Sequence, residues 1–207
     1  VVDQYISSEL DITNQSQGIK INQKSDFPLK GYSKIEILES GNDESIIYFR
    51  IPSWDKKMKI SLNGSNFDYE VFNGYAKINR IWKKGDVIDL NFDFTPRFMR
   101  SNPNVRYNVG RACLFKGPIL YCLEEVDNGK HLNKIIIDTN QPLTENRESI
   151  KTENFTSLHT KAYKLEDSDN LYLDKKPKLN EASIKFIPYY CWSNRGENEM
   201  LVWFNEK

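Results

Sequence analysis

Polar and apolar residues alternate along much of the chain. Met58, Ile60 and Leu62 share one side of a run whose intervening residues are polar. The same period of two recurs at Ile19/Ile21, Ile35/Ile37, Ile47/Phe49/Ile51 and Ile88/Leu90/Phe92/Phe94. This period is typical of β-strands with one buried face, and no long apolar stripe with a 3.6-residue period is present. The pattern therefore predicts an all-β fold with little helix.

Turn signals separate the predicted strands. Asn63-Gly64 and Asn73-Gly74 suit the positive φ angles of tight hairpins. Short strands between frequent turns predict two consecutive β-sandwich or jelly-roll units, with a single large sandwich as the alternative. Pro96 cannot donate to a strand ladder, so we place the boundary near residue 97, giving units 1–97 and 98–207. Residues 139–180 are polar, and we expect them to be irregular.

Charge and composition narrow the function classes. Lys plus Arg and Asp plus Glu each number 29, so the formal net charge is zero and the basic surface typical of nucleic-acid binding is absent. No apolar run is long enough to cross a bilayer, and no basic amphipathic face indicates a membrane surface. The chain starts at Val1, without Met or a signal peptide, inside a strand-like run. We therefore interpret it as a soluble piece of a longer protein, whose location this piece leaves unknown.

Reactive groups are sparse in the sequence. Only two histidines occur, His131 and His159, and no spacing suits zinc, so we predict no metal site and no cofactor. Glu124, Glu125 and Asp127 form the densest carboxylate cluster, yet adjacent strand residues point to opposite faces. We interpret them as a charged strand end entering a turn, and we predict no catalytic residues.

The cysteines give little direct information about function. Cys113, Cys122 and Cys191 form an odd set without a C-x-x-C pair. Cys113 and Cys122 could face each other across a hairpin. We interpret all three as small buried hydrophobic residues.

Aromatic residues make up 13% of the chain and are its richest chemical feature. Exposed rings on a sandwich can stack on sugar rings, whereas buried rings fill cores and domain contacts. Both interpretations remain open from the residues alone. The residues that we predict to contact either a carbohydrate or another domain are Trp54, Trp82, Tyr189, Tyr190, Trp192 and Arg195.

Several motifs together resemble the C-terminal part of glycoside hydrolase family 127, the bacterial β-L-arabinofuranosidase-like enzymes. They are Arg50-Ile51-Pro52-Ser53-Trp54, Trp82-Lys83-Lys84-Gly85-Asp86, Gly117-Pro118-Ile119-Leu120-Tyr121-Cys122-Leu123-Glu124 and the run from Phe186 to Gly196. Their order carries the resemblance, which covers residues 1 to about 130 and 182 to 204. It places residues 1–97 as the middle domain of the parent enzyme and 98–207 as its C-terminal domain.

The resemblance also implies how the parent enzyme works. Family members carry out a retaining reaction in an N-terminal (α/α)6 barrel, with a barrel cysteine as nucleophile near a zinc ion. None of those motifs maps onto this sequence. The implied role is a non-catalytic accessory region whose partner is the missing barrel, with a homodimer and an arabinose-containing glycan as further partners. An independent carbohydrate-binding module is the alternative.

Overall fold

The computed structural model describes residues 1–14, 18–150 and 153–207. They divide into two compact units, Val1–Thr95 and Pro96–Lys207. Strands dominate both units, and the longest helix within the described ranges is the four-residue α1, Glu125–Asn128. None of the described segments forms a helix long and apolar enough to span a membrane. The predicted all-β fold is confirmed.

Antiparallel sheets build the first unit. Its strands are β1 (Ser8–Asp11), β2 (Ile19–Ser25), β3 (Tyr32–Ser40), β4 (Glu44–Arg50), β5 (Lys59–Leu62), β6 (Ser65–Phe67), β7 (Glu70–Phe72), β8 (Tyr75–Ile81) and β9 (Val87–Asn91). One sheet has the order β1-β2-β3-β9-β5-β6, and the other has the order β4-β8-β7. The Asn-Gly pairs form the β5–β6 and β7–β8 turns with positive φ at both residues, as the sequence predicts.

The alternating apolar residues form the core of the first unit. Ile35 and Ile88 lie opposite each other on neighbouring strands of the larger sheet, and both are fully buried. Phe49 and Ile78 come from the smaller sheet and belong to the same buried cluster. The two sheets therefore face each other across one core, which is a sandwich.

The second unit closes its strands into a ring. They are β10 (Pro96–Met99), β11 (Arg111–Lys116), β12 (Ile119–Glu124), β13 (Ile135–Ile137), β14 (Thr144–Ile150), β15 (Glu153–Leu165), β16 (Leu179–Pro188), β17 (Met200–Leu201) and β18 (Phe204–Glu206). Pairing runs β11-β18-β13-β15-β16-β12, and β12 pairs with β11 again. Only β13–β18 is parallel among the pairings of the described strands. The order of pairing therefore returns to the strand from which it began, β11.

Each strand of the ring contributes apolar side chains to its interior. Leu114, Tyr121, Leu158 and Phe186 lie there and are buried. The interior also contains Ala112, Leu123, Leu132, Ile135, Ile137, Ala162, Ile184 and Phe204. Because side chains alternate along a strand, residues between these positions point outward from the ring.

The prediction that residues 139–180 are irregular is wrong for much of the segment. β14 and β15 pair from Thr144↔His159 to Ile150↔Glu153, and β15 continues to Leu165. β14 pairs only with β15 among the described strands, and most of its side chains are exposed. A strand that is exposed on both faces needs no apolar alternation, so the period gave no signal. Residues 151 and 152 of this segment lie outside the described residues.

Candidate functional site

The candidate site lies on the outer side of the ring in the second unit. Tyr121 and Leu123 of β12 point into the ring, so Cys122 and Glu124 point outward. Phe186 of β16 likewise points inward, which places Lys185 on the outside. These outward residues would be exposed if nothing covered them, yet Cys122 and Glu124 are fully buried.

The segment that follows β16 covers this outer side. It begins with the 3₁₀ turn Tyr189–Cys191 and leads to β17, which pairs with the end of β12. Cys191 packs in a small cluster with outward-facing Cys122, Phe155 and Ile187, against which Met200 and Val202 also pack. We call residues 189–199 the cover segment. Its apolar contacts fix one side of the candidate site.

An ion cluster fixes the other side. It consists of Glu124, Asp127, Glu148, Lys185 and Arg195. The Arg195 guanidinium donates to both carboxylates, with 2.8 Å from Nη1 to Asp127 Oδ1 and a further bond from Nη2 to Glu124 Oε2. Lys185 Nζ lies 3.1 Å from Asp127 Oδ1 and 2.6 Å from Glu148 Oε2. The cluster therefore ties the cover segment to β12, α1, β16 and β14.

Glu124 is the most deeply buried member of the cluster. Its side chain is 0% exposed, and Oε1 accepts the backbone N–H of Ser193 at 3.0 Å. Burying a carboxylate is costly unless it is paired and hydrogen-bonded. Glu124 meets both conditions, since Arg195 supplies the opposite charge and Ser193 the backbone donor. Glu124 is the charged last residue of β12, as the sequence analysis interprets it, but its burial and its pairing with Arg195 were not predicted.

Hydrogen bonds favour the charged forms of Asp127, Glu148 and Arg195 in this cluster. Burial alone would raise the pKa of Asp127, but hydrogen bonds from Arg195 and Lys185 outweigh it and lower that pKa. Burial opposes ionisation of Glu148 in the same way, and the bonds from Lys185 and Ser157 lower its pKa overall. The hydrogen bonds to Asp127 are the main cause of the raised pKa of Arg195. Asp127, Glu148 and Arg195 are thus held in their charged states.

Ser157, His159 and Glu148 come together next to the cluster. Ser157 Oγ lies 2.9 Å from His159 Nε2 and donates to Glu148 Oε1 at 2.5 Å. A catalytic triad places the carboxylate on the other ring nitrogen, Nδ1, and leaves the serine open to substrate. Here the carboxylate lies 3.5 Å from the same Nε2, and Ser157 is fully buried. The arrangement is a hydrogen-bonded link between strands.

Four of the six predicted contact residues lie in the cover segment. Tyr189 and Trp192 have ring centroids 5.9 Å apart with planes inclined by 27°. Both rings are partly exposed, as is Tyr190. Arg195 is held in the ion cluster. These four residues are close in sequence, and the structure places the stretch that contains them over the outer side of the ring.

The two tryptophans of the first unit are placed differently. Trp54 is half-buried against the core, where its ring stacks on Phe27 at 6.4 Å. Trp82 is only 2% exposed, and its indole N–H donates to Ser45 O at 3.0 Å. Burial in the core excludes Trp82 as a contact residue, so that prediction is wrong for this position. It directly follows β8 and continues the inward alternation of Ala76 and Ile78, so it packs inside the sandwich.

The described residues contain no cluster of three or more His, Cys, Asp or Glu side chains that could hold a metal ion. Cys113, Cys122 and Cys191 are buried, as the sequence predicts. Sequence reasoning missed Glu148, Lys185 and Ser157, which pair across strands. It missed them because the register that joins them becomes visible only when β14, β15 and β16 are paired.

Family models match both units of the chain. Residues 1–94 match the family model "Beta-L-arabinofuranosidase, GH127 middle domain", and residues 96–205 match "Glycoside hydrolase family 127 C-terminal domain". The chain belongs to glycoside hydrolase family 127. The resemblance seen in the sequence motifs is confirmed.

Several glycoside hydrolase family 127 proteins and solved structures are similar over nearly the whole chain. A non-reducing end β-L-arabinofuranosidase of Bifidobacterium longum subsp. longum is 27% identical, covering 97% of this chain and 34% of that protein. The crystal structure of Ara127N-Se, a GH127 β-L-arabinofuranosidase from Geobacillus stearothermophilus T6, is 32% identical with a TM-score of 0.90, covering 99% of this chain and 33% of that one. A further structure, described as a glycoside hydrolase, has 27% identity and a TM-score of 0.89, covering 98% and 35% of the two chains. The chain therefore spans about a third of the length of these relatives.

Proposed function

We propose that this chain is a non-catalytic accessory region of a glycoside hydrolase family 127 enzyme. Hydrolysis of a glycoside usually requires two carboxyl groups that reach the substrate, one as acid and one as nucleophile or base. The carboxylates of Glu124 and Asp127 are shared by one guanidinium, and Glu124 is fully buried. This engagement in structural ion pairs is the observation that carries the proposal.

The cysteines support the same conclusion. A thiol acts as a nucleophile in its thiolate form, which requires a low pKa. Burial raises the pKa of Cys122 to about 12 and also raises the pKa of Cys113. Near neutral pH both thiols therefore stay protonated, as expected of residues that fill space.

The parent enzyme is proposed from its relatives. Two of those named above are β-L-arabinofuranosidases and are about three times as long as this chain. We propose that the parent removes arabinofuranose residues, with chemistry in the N-terminal barrel that the family resemblance implies. Exposed apolar side chains on this region would support that barrel by packing, and a homodimer would use the same kind of surface.

A direct assay tests the proposal. The purified 207-residue chain is incubated with para-nitrophenyl β-L-arabinofuranoside, and release of nitrophenol is followed. We expect no release above the uncatalysed rate. Release that disappears in Glu124→Gln would contradict the proposal, because it would make this carboxylate a reacting group.

A second assay tests the accessory role. Removal of the matching region from the Geobacillus enzyme should lower its thermal midpoint and its activity together, because apolar packing surface is lost. An unchanged midpoint and unchanged activity would show that the region supports nothing.

A further inference from the structure

Three Asn-Gly pairs occur in the chain: Asn63-Gly64, Asn73-Gly74 and Asn128-Gly129. In such a pair the glycine nitrogen lies next to the asparagine side chain, and glycine carries no Cβ that would shield it. This nitrogen can attack the side-chain carbonyl carbon and expel ammonia, which makes asparagine one of the thermolabile residues. The rate at a given pair depends on how firmly the folded chain holds both groups, and the three pairs differ in this respect.

The side chain of Asn63 is held from both sides. Its Nδ2 donates to Asp86 Oδ1 at 2.8 Å, and its Oδ1 accepts the Val87 N–H at 2.8 Å. Its backbone N–H donates to Val87 O, also at 2.8 Å. The amide therefore cannot turn towards the nitrogen of Gly64 without breaking two side-chain hydrogen bonds, and one of these is to a charged group.

The third pair is held through both of its residues. Asn128 Nδ2 donates to Glu124 O at 3.0 Å and to Lys185 O at 2.9 Å. Asn128 Oδ1 accepts the Lys185 N–H at 2.9 Å. The Gly129 N–H donates to Glu125 O at 2.7 Å. Both the nitrogen that would attack and the amide that would be attacked are therefore engaged.

Asn73-Gly74 lacks these restraints. The backbone matches that of the first pair, since φ is 48° at Asn73 and 51° at Asn63. Asn73 is exposed in the turn between β7 and β8, and its side chain makes no hydrogen bond to any residue in the described ranges. The Gly74 carbonyl accepts the Ile51 N–H at 2.8 Å, whereas no described residue accepts the Gly74 N–H. Because β7 has only three residues and lies at the edge of its sheet, this turn should open locally with ease.

We propose that Asn73 is a site of spontaneous modification, at which its side chain condenses with the backbone of Gly74. The Gly74 nitrogen gives up its proton and bonds to Asn73 Cγ, the bond from Cγ to Nδ2 breaks, and Nδ2 leaves as ammonia with that proton. Water then opens the five-membered imide at either carbonyl, which gives aspartate or isoaspartate at position 73. Water is the only co-reactant, so no oxidant, reductant or enzyme takes part.

The products alter the turn between β7 and β8. Either product adds one negative charge, and isoaspartate also adds one carbon to the main chain. Phe72 and Tyr75 pair directly across the turn, so a connection of two residues joins them. A longer main chain does not fit this connection. We therefore expect isoaspartate to loosen β7 and to leave the core of the first unit as it is.

Peptide mapping of the 207-residue chain tests the proposal. The chain is incubated at mildly alkaline pH, either folded in buffer or unfolded in guanidinium chloride, and is then digested in water enriched in heavy oxygen. The heavy label marks any conversion that happens during digestion. Fragmentation spectra locate the change from amide to acid at each of the three asparagines and distinguish isoaspartate from aspartate. Asp86→Ala is tested beside the native chain because it removes the acceptor of Asn63 Nδ2.

In the folded native chain, Asn73 should convert at least about tenfold faster than Asn63 and Asn128. In the unfolded chain all three should convert at similar rates, which would show that the folded structure causes the difference. Asp86→Ala should speed conversion at Asn63 and leave Asn128 unchanged. Equal rates in the folded chain, a ranking that persists after unfolding, or no response of Asn63 to Asp86→Ala would overturn the proposal.

Hydrogen exchange tests the consequence for the turn. The converted chain carries one more negative charge, so anion exchange separates it from the native chain. Amide exchange in β7 should be faster in the isoaspartate form, whereas exchange in β3 should be the same in both forms. Equal exchange of β7 in the two forms would overturn the expected loosening. These outcomes do not depend on the proposed function.

Discussion

The two units bury their carboxylates in different ways. In the first unit, Asp86 accepts from Asn63 Nδ2 at 2.8 Å and from Lys83 N at 2.9 Å, and Arg80 lies 3.3 Å away. These partners lie in neighbouring turns and at the end of a strand. In the second unit, Glu124 pairs with Arg195, 71 residues further along the chain. The first arrangement shapes a turn, whereas the second fastens a long segment over the outer face of a sheet.

The difference concerns what each carboxylate holds. Asp86 satisfies a few donors of a turn that the strands on either side also constrain. Glu124 and Asp127 hold Arg195, and Arg195 holds the cover segment that buries Cys122 and Cys191. Loss of the Arg195 ion pairs in the second unit should therefore expose the apolar cluster under the cover segment. Loss of the Asp86 carboxylate in the first unit should only loosen a turn.

Arg195→Ala should have the largest effect. It leaves Glu124 buried without an opposite charge and frees the cover segment. Removal of one partner from a buried ion pair typically costs about 3–5 kcal/mol. The free energy of unfolding is measured in urea, with exposed Arg106→Ala as the control. A loss no greater than that of the control would show that the cover segment is held by its apolar contacts alone.

Asp86→Ala should have an intermediate effect. The change removes acceptors from Asn63 and from the Lys83 N–H, and unsatisfied partly buried donors cost about 1–3 kcal/mol. The loss should be smaller than for Arg195→Ala because no segment is released. Urea unfolding of the two variants, side by side, measures the ranking. The reverse ranking would break the comparison between the units.

Acid should weaken the ion cluster through its carboxylates. The pKa values of Asp127 and Glu148 are lowered in the folded state, so their contribution to stability is fully present above their unfolded pKa values, about 4. That contribution is lost as pH falls through the folded values. The unfolding free energy should decrease as the pH falls below about 4, and Glu148→Gln should make this decrease slightly smaller.

The matched control for this titration is Glu166→Gln. Glu166 is an exposed residue in the loop after β15. Glu166→Gln removes one carboxylate outside the ion cluster, so it measures the effect of losing a single surface charge. If both variants lose stability with the same slope as the native chain, Glu148 does not contribute through its charge.

The sequence predicts the first unit well for a simple physical reason. Ile35, Ile88 and their neighbours lie on faces that are either buried against a second sheet or exposed, and a period of two reports this distinction directly. In the second unit, Glu124 follows the unbroken apolar run Ile119–Leu123, which shows no such period. Its outward direction follows only once Tyr121 and Leu123 are seen to lie inside the ring. The run also carries no information on whether a later segment covers the outer face, so the burial of Glu124 was not predictable.

The candidate site was partly visible in the sequence. The aromatic residues and Arg195 stand together in one run, so their proximity could be predicted. The partners of Arg195 lie on β12 and α1, and long-range pairing of this kind depends on strand register and closure of the ring. The burial of Trp82 could not be predicted, since an aromatic residue beside a turn can either contact a partner or belong to a core.

A double-mutant cycle tests the central claim most directly, namely that the buried carboxylate of Glu124 serves to hold Arg195 and the cover segment. Unfolding free energies are measured for the native chain, Glu124→Gln, Arg195→Ala and the double variant. The account predicts a coupling energy of roughly 2–3 kcal/mol, because Arg195→Ala leaves the buried Glu124 without an opposite charge, whereas Glu124→Gln still leaves Arg195 paired with Asp127. Additivity within about 0.5 kcal/mol would contradict the claim.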